Sequence, residues 1–215
     1  LQEGDKLFVV TANPEILMHA EEDPSIRTML LDEETAVVPD GISIVKAMNL
    51  LGYPAKERIT GVDLAEKLLR LAGEKGKSVY LLGAKEEVVS ALAEKLVAQY
   101  PQMEVHYKNG YGKDKDADFR EIEALQPDLT LVALGVPAQE KLIARHLENF
   151  QKGVFIGVGG SFDVLSGSKR RAPALFVRTN TEWLYRIVRE PSRLGRFYRN
   201  NVKFLGAVRR EAKKG

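Results

Sequence analysis

The chain has 215 residues, with 32 Lys and Arg against 30 Asp and Glu, a formal net charge of +2, and 44% hydrophobic and 29% charged residues. Those values describe an ordinary globular chain long enough for one sizeable core. The lack of cysteine excludes disulfides and thiolate metal sites and suits a reducing cytoplasm, and there is neither a signal-peptide pattern nor an apolar run near the ~20 residues of a membrane helix.

The chain opens at Leu1 without methionine and reaches a strand-like run at 7–11 almost at once, as expected of a chain trimmed of its first natural elements. Further strands are expected at 36–38, 79–82, 104–107, 129–134 and 154–158, several of them continuous apolar runs of the kind that parallel strands buried on both faces display. Between them, apolar residues recur at helical spacing over 14–20, 42–50, 62–72, 86–99, 119–125 and 138–150. Such alternation predicts an α/β fold: a Rossmann-like, mostly parallel sheet with helices on both faces. No repeat, low-complexity stretch or long linker interrupts it. Residues 1–180 are assigned to this catalytic domain and 181–215 to a basic helical appendage. From Leu184 onward ten cations face only Glu190 and Glu211, a net +8 that leaves the rest of the chain at −6. A basic tail on an acidic body points to a polyanionic partner, either membrane lipid or nucleic acid.

Ligands of such sheets bind beyond the carboxyl ends of the strands, so the loops there are read most closely. Thr11 and Asn13 close the first strand, and Pro14 suits a first helical turn; Asn13 is either a helix cap or a lining of a donor pocket, and both can hold. Asp40, between Val38-Pro39 and Gly41, is either a turn aspartate or a general base for a hydroxyl. Arg58, before a helix, is either solvated or paired with a diphosphate. Gly83, Gly135, Gly159 and Gly160 follow strands, where glycine allows tight turns or a close approach of phosphate. They spell neither GxGxxG nor a P-loop, which disfavours an NAD-dependent enzyme. Gln139, after Pro137, could touch a base or sugar or face water, and Asp163 with Lys169-Arg170-Arg171 could serve the same cleft.

Asp114, Asp116 and Asp118 imitate a metal-binding DxD, but they stand in a hydrophilic run just before a helix, where acids complement the helix dipole. They are read as a solvated loop and cap. His19, His106 and His146 share no spacing or loop, so no metal site and no cofactor are expected.

Taken together, the loops resemble the WecG/TagA/CpsF family of glycosyltransferases. The matching stretches are Thr11-Ala12-Asn13-Pro14-Glu15-Ile16, Pro39-Asp40-Gly41-Ile42, Arg58-Ile59-Thr60-Gly61-Val62-Asp63-Leu64 and Tyr80-Leu81-Leu82-Gly83. Further on stand Ala133-Leu134-Gly135-Val136-Pro137-Ala138-Gln139-Glu140-Lys141, Gly157-Val158-Gly159-Gly160-Ser161-Phe162-Asp163, Arg171-Ala172-Pro173, Glu182-Trp183-Leu184-Tyr185-Arg186 and Glu190-Pro191-Ser192-Arg193. Each stretch alone is weak; their order, spanning Thr11 to Arg193, is specific.

The resemblance implies transfer of an N-acetylmannosamine-type sugar from a UDP donor to a polyprenyl-diphosphate-linked N-acetylglucosamine acceptor. It implies inversion without an essential metal, in the synthesis of teichoic acid or related surface glycans. Asp40 matches the family's base, and Thr11, Asn13, Arg58 and Gln139 match its pocket residues. Two departures stand out: the segment before the first strand is largely missing, and Asn180-Thr181 replace the more usual Gly-Leu.

In the tail, Arg186, Arg189, Arg193 and Arg196 recur at three- or four-residue spacing among Leu184, Ile187, Leu194 and Phe197. Such a segment suits an anionic membrane surface, here the inner face of the plasma membrane, with an arginine reaching the diphosphate; a helix packed on the body is the alternative. No nucleic-acid partner is expected, although a nucleotide-binding module with a nucleic-acid-binding tail is the rival reading. Self-association into a homo-oligomer is left open.

Overall fold

The computed structural model of the chain describes residues 6–55 and 58–213, and of Arg193 and Arg196 the backbone alone. In chain order the strands are β1 (Lys6–Ala12), β2 (Thr35–Pro39), β3 (Ser78–Gly83), β4 (Glu104–Lys108), β5 (Leu129–Ala133) and β6 (Gly153–Gly157). Between them run helices α1 (Pro14–Glu22), α2 (Pro24–Leu30), α3 (Ile42–Leu50), α4 (Gly61–Glu74), α5 (Glu86–Gln99), α6 (Lys115–Leu125) and α7 (Ala138–His146). After β6 come α8 (Ser161–Leu165), α9 (Ala174–Arg178), α10 (Glu182–Arg189) and α11 (Leu194–Glu211).

All five strand pairings are parallel, in the order β2-β1-β6-β5-β3-β4. The continuous apolar strands have the expected cause. Val9, Leu81 and Ile156 enter a core layer on one face with Leu69, Leu92 and Phe162, whereas Phe8, Tyr80 and Phe155 enter the opposite layer with Ile16, Phe119 and Ile143. From β1 the chain moves outward to β2, and α3 and α4 then carry it back across to β3. The helices that follow the neighbouring strands β1 and β6 go to opposite faces, Ile16 of α1 into one layer and Phe162 of α8 into the other, and this divergence opens a crevice at the strand ends, a topological switch point of an open α/β sheet.

Local chemistry sets the helix starts. The Asn13 side chain accepts the backbone N–H groups of Glu15 and Ile16 at 2.9 and 3.1 Å, so the cap alternative is realised at α1. The helix expected over 119–125 begins at Lys115, because Asp114 accepts the Ala117 N–H at 2.9 Å and caps it one turn earlier. The helix expected to reach residue 150 stops at His146 and tightens into a 3-10 turn, Leu147–Asn149. Helix α2 was not anticipated. Its signal is local, an Asp23 cap followed by Pro24, with Ile26 and Met29 alone buried over two turns.

The basic appendage packs on the body. Phe204 and Val208 of α11 are buried against Met18 of α1 and Ile44 and Ala47 of α3, while Lys203 pairs with Glu22 at 2.6 Å and Arg210 with Glu21 at 3.7 Å. Asn180, in the turn before α10, has φ +59°, a conformation that glycine and asparagine tolerate best; this accounts for asparagine standing where glycine is more usual. Among the described residues no helix is long and apolar enough to cross a membrane.

Candidate active site

A cavity of about 840 Å³ lies beyond the carboxyl ends of β1, β2, β5 and β6, and α10 and α11 supply its opposite wall. Thr11, Asn13, Asp40, Arg58, Gly135, Gln139, Gly159, Gly160, Asp163 and Arg186 all line it, although they come from six separate stretches of chain. Parallel strands that end on one side, flanking a switch point, bring them together.

Asp40 follows β2, its N–H bonded to the Ala12 carbonyl at 2.8 Å, which fixes the end of the strand beside that of β1. Its carboxylate accepts the N–H of Gly61, the first residue of α4. A Cβ at Gly61 would stand 3.7 Å from Thr11 Oγ1 and 3.8 Å from Ser161 Oγ, so this helix start, Thr11 and Ser161 form one packed floor. Burial pushes the Asp40 carboxyl up to about 6; Arg186, the Gly61 N–H and Arg58 draw it back toward ionisation, and Glu182 opposes them.

Glu182 organises the two arginines. Its side chain is 5% exposed and divides its oxygens, Oε1 accepting from Arg186 Nη2 at 2.9 Å and Oε2 from Arg58 Nη2 at 3.4 Å. Arg58 also donates to the Val177 carbonyl at 3.4 Å. The loop before α4 and the first helix of the appendage are thereby joined directly over Asp40. With Asp40 ionised, two guanidinium groups face two carboxylates, so the cluster is neutral until a ligand arrives.

Gln139 has a different role from a simple sugar contact. It is buried, and its Oε1 accepts N–H bonds from both Gly135 and Gly159 at 3.0 Å, tying the loop after β5 to the loop after β6. Its Nε2 donates to Glu140 Oε1 at 2.7 Å. The bend at Gly159 has φ +50°, and nothing lies within 4 Å of where its Cβ would be, so the backbone there is bare toward the cavity. Glu140 is 3% exposed, with Oε2 unpartnered; burial pushes its carboxyl up to about 7, against the pull of the Gln139 bond.

Other expected residues are placed differently. Gly83 does not line the cavity: a Cβ there would meet the Ala133 carbonyl oxygen at 2.4 Å, so its place is set by the packing of β3 on β5. Asp163 does line it, but pairs with Lys169 at 3.5 Å. Arg189 is off the cavity, its guanidinium 5.8 Å from the Tyr185 ring centroid. The side chains of Arg193 and Arg196 lie outside the described residues.

In the acidic run, Asp114 caps α6, Asp116 pairs with Arg145 and His146 at 2.6 and 2.8 Å, and Asp118 is buried between Lys108 and Lys115. Among the described residues no cluster of metal-ligating side chains occurs.

The residues that sequence reasoning missed are Glu182, Gly61, Glu140 and Trp183. Trp183 stacks on Phe197 of α11 with centroids 4.8 Å apart and lines the apolar side of the cavity. Glu182 had one local signal, Arg186 at i+4, but its burial comes from contacts with Arg58 more than 120 residues away in the chain.

A six-stranded parallel sheet with a carboxylate and paired arginines beyond its strand ends is the frame of an α/β enzyme. The model of the Glycosyl transferase WecG/TagA/CpsF family matches residues 1–215, and the chain belongs to that family. Among its relatives is a protein of Bacillus spizizenii strain W23, 39% identical over 97% of this chain and 80% of the relative. Others are from Bacillus subtilis strain 168 (38%; 86% and 72%) and Staphylococcus aureus strain MW2 (37%; 91% and 77%). All three are named N-acetylglucosaminyldiphosphoundecaprenol N-acetyl-beta-D-mannosaminyltransferase.

Proposed function

We propose that the chain transfers an N-acetylmannosamine-type sugar from UDP to a polyprenyl-diphosphate-linked N-acetylglucosamine, with inversion and without a metal, in teichoic acid or related surface-glycan synthesis. The observation that carries this reading is the Asp40 carboxylate at the cavity floor, beside an Arg58 and Arg186 pair that Glu182 holds in place. A nucleoside diphosphate is already a good leaving group, so one base suffices. Asp40 accepts the proton of the acceptor hydroxyl as its oxygen attacks the anomeric carbon, and the bond to the UDP oxygen breaks on the opposite face. The raised Asp40 pKa supports the role, because a base poised near neutrality holds a transferred proton better than an ordinary aspartate.

Arg58 and Arg186 offset the charge that develops on the departing diphosphate, and backbone groups of the glycine loops approach it without steric hindrance. Thr11, Asn13 and Asp163 complete the sugar and nucleotide walls. In this reading the exposed cations of the appendage rest on the inner face of the plasma membrane, which places the cavity beside its lipid-borne acceptor.

The test is a panel of UDP-sugars with a short-chain prenyl-diphosphate-GlcNAc acceptor, reading product by mass. Transfer from UDP-N-acetylmannosamine, with the new anomeric centre inverted, is expected and should persist in chelator. No transfer from any donor, or retention of configuration, would reject the reading.

A further inference from the structure

Among the described residues, the cavity lining holds one cation whose charge the Asp40 cluster does not absorb. Lys46, on α3, has no hydrogen bond or ion pair with any other described residue, whereas Arg58 and Arg186 share Glu182. Two basic residues of α11, Lys203 and Arg210, are committed to Glu22 and Glu21.

Position makes Lys46 informative. Helix α3 starts two residues after Asp40, and Ile42, Ser43, Lys46, Ala47 and Leu50 line the cavity, the spacing of one helical face. At ~1.5 Å per residue, Lys46 lies about 6 Å and Leu50 about 12 Å beyond Ile42 along the axis. The wall changes character along that line. It runs from the carboxylate at Asp40, past the hydroxyl of Ser43 and the ammonium of Lys46, to an apolar arm of Ala47 and Leu50 facing Leu205 and Val208 of α11. The arm opens at the surface, where Leu50 and Leu205 are 64% and 51% exposed. A sugar hydroxyl, then an anionic bridge, then a hydrocarbon chain is the order of groups in a prenyl-diphosphate-linked sugar. In an inverting displacement the acceptor enters opposite the leaving group, so the donor's diphosphate and the acceptor's diphosphate need separate cations.

We propose that Lys46 binds the diphosphate of the lipid-linked acceptor, and that the arm between Leu50 and Leu205 takes the first isoprenoid units. The inference rests on the reading given under Proposed function. Lysine suits the task as a mobile point charge with three donors, able to follow a diphosphate whose lipid slides in the arm.

The test uses the whole chain with detergent-dispersed short-chain prenyl-diphosphate-GlcNAc, so that no membrane surface contributes, and a neutral alkyl glycoside of GlcNAc for comparison. For Lys46→Ala the acceptor KM should rise about tenfold or more, as loss of a charge-assisted contact predicts, with donor KM and saturating kcat within about threefold. Lys46→Arg should restore most of the acceptor KM, and the alkyl glycoside should not distinguish the variants. An unchanged acceptor KM for Lys46→Ala overturns the inference, as does a rise confined to the donor KM. Thermal shift by the same acceptor separates the two readings. A shift in the unaltered chain that is lost in Lys46→Ala, without any sugar transfer, would support the diphosphate site while rejecting the transferase reading. No shift and no transfer would overturn both.

Discussion

Two acidic regions of the molecule make an instructive contrast. The run Asp114, Asp116 and Asp118 has the spacing of a metal-binding motif, yet each carboxylate is matched by a helix N–H or by the cations Lys108, Lys115 and Arg145, with the His146 ring also bonded to Asp116. Asp40 stands in a plain turn without a metal-binding spacing, yet it is the one whose carboxyl is raised by burial beside an open cavity. For an acid, surroundings decide the role. Paired acids have their charge stabilised and their lone pairs occupied, whereas a desolvated acid next to empty space retains both basicity and access.

The contrast is open to direct attack. The largest expected effect is on Asp40→Asn, which should lower kcat by about 10²–10⁴-fold, the usual contribution of a general base, while UDP affinity stays within a few-fold. Asp116→Asn should keep turnover within about twofold in the same assay, and near-normal turnover by Asp40→Asn would end the assignment. Next in size is Glu182→Gln. Freeing Arg58 and Arg186 from their shared carboxylate should cost about 10²-fold in kcat through misplacement, and should lower thermal stability as well, because it leaves a half-buried cation without its counter-charge.

The pH dependence sharpens the distinction. With an Asp40 pKa of about 6 in the free protein, kcat/KM should fall close to tenfold per pH unit below 6, a limb that Asp116→Asn should leave in place. Stability should move in opposite directions for the two acids. Because the folded pKa of Asp40 lies above the unfolded value of 3.8, its ionised form costs stability fully above about pH 6, and the cost vanishes below pH 4. Asp40→Asn should therefore raise Tm by a few degrees at pH 8, on the order of 1–2 kcal/mol once solvent reaching the cavity is allowed for, with the gain fading through pH 4 and gone by about pH 3. Asp116 is drawn below its usual range first by His146 and then by Arg145, so its contribution is present above pH 4 and is lost as pH falls through its depressed pKa. Asp116→Asn should accordingly lower Tm at pH 8 and converge on the unaltered chain in acid. The smallest effect is on Glu140→Gln. That variant keeps an oxygen for the Gln139 amide and removes a buried charge, so Tm should rise slightly above pH 7 and return to the unaltered value below about pH 4.5.

Much of this was readable before any fold was known. Apolar runs at 79–82 and 154–158 reveal parallel strands because a strand covered on both faces has no polar face to show. The loops after such strands are where a ligand must sit, so Thr11, Asn13, Asp40 and Gly159 were identifiable as candidates by position alone. Gly83, identical by that criterion, was not separable from them. Its role is set by the Ala133 carbonyl from a neighbouring strand fifty residues on, and no local pattern records that approach.

Sequence by itself determined the α/β class, the strand-end loops and the basic appendage, and offered the Asn13 cap as one of two readings, since each depends on residues close together in the chain. Only the tertiary structure decided which acid faces the cavity, that Glu182 couples Arg58 to Arg186, that Gln139 ties two glycine loops, and that Lys46 stands on the wall with no ion pair among the described residues. These are matters of desolvation and through-space charge, and both are fixed by segments far apart in the chain that meet only once the sheet has formed.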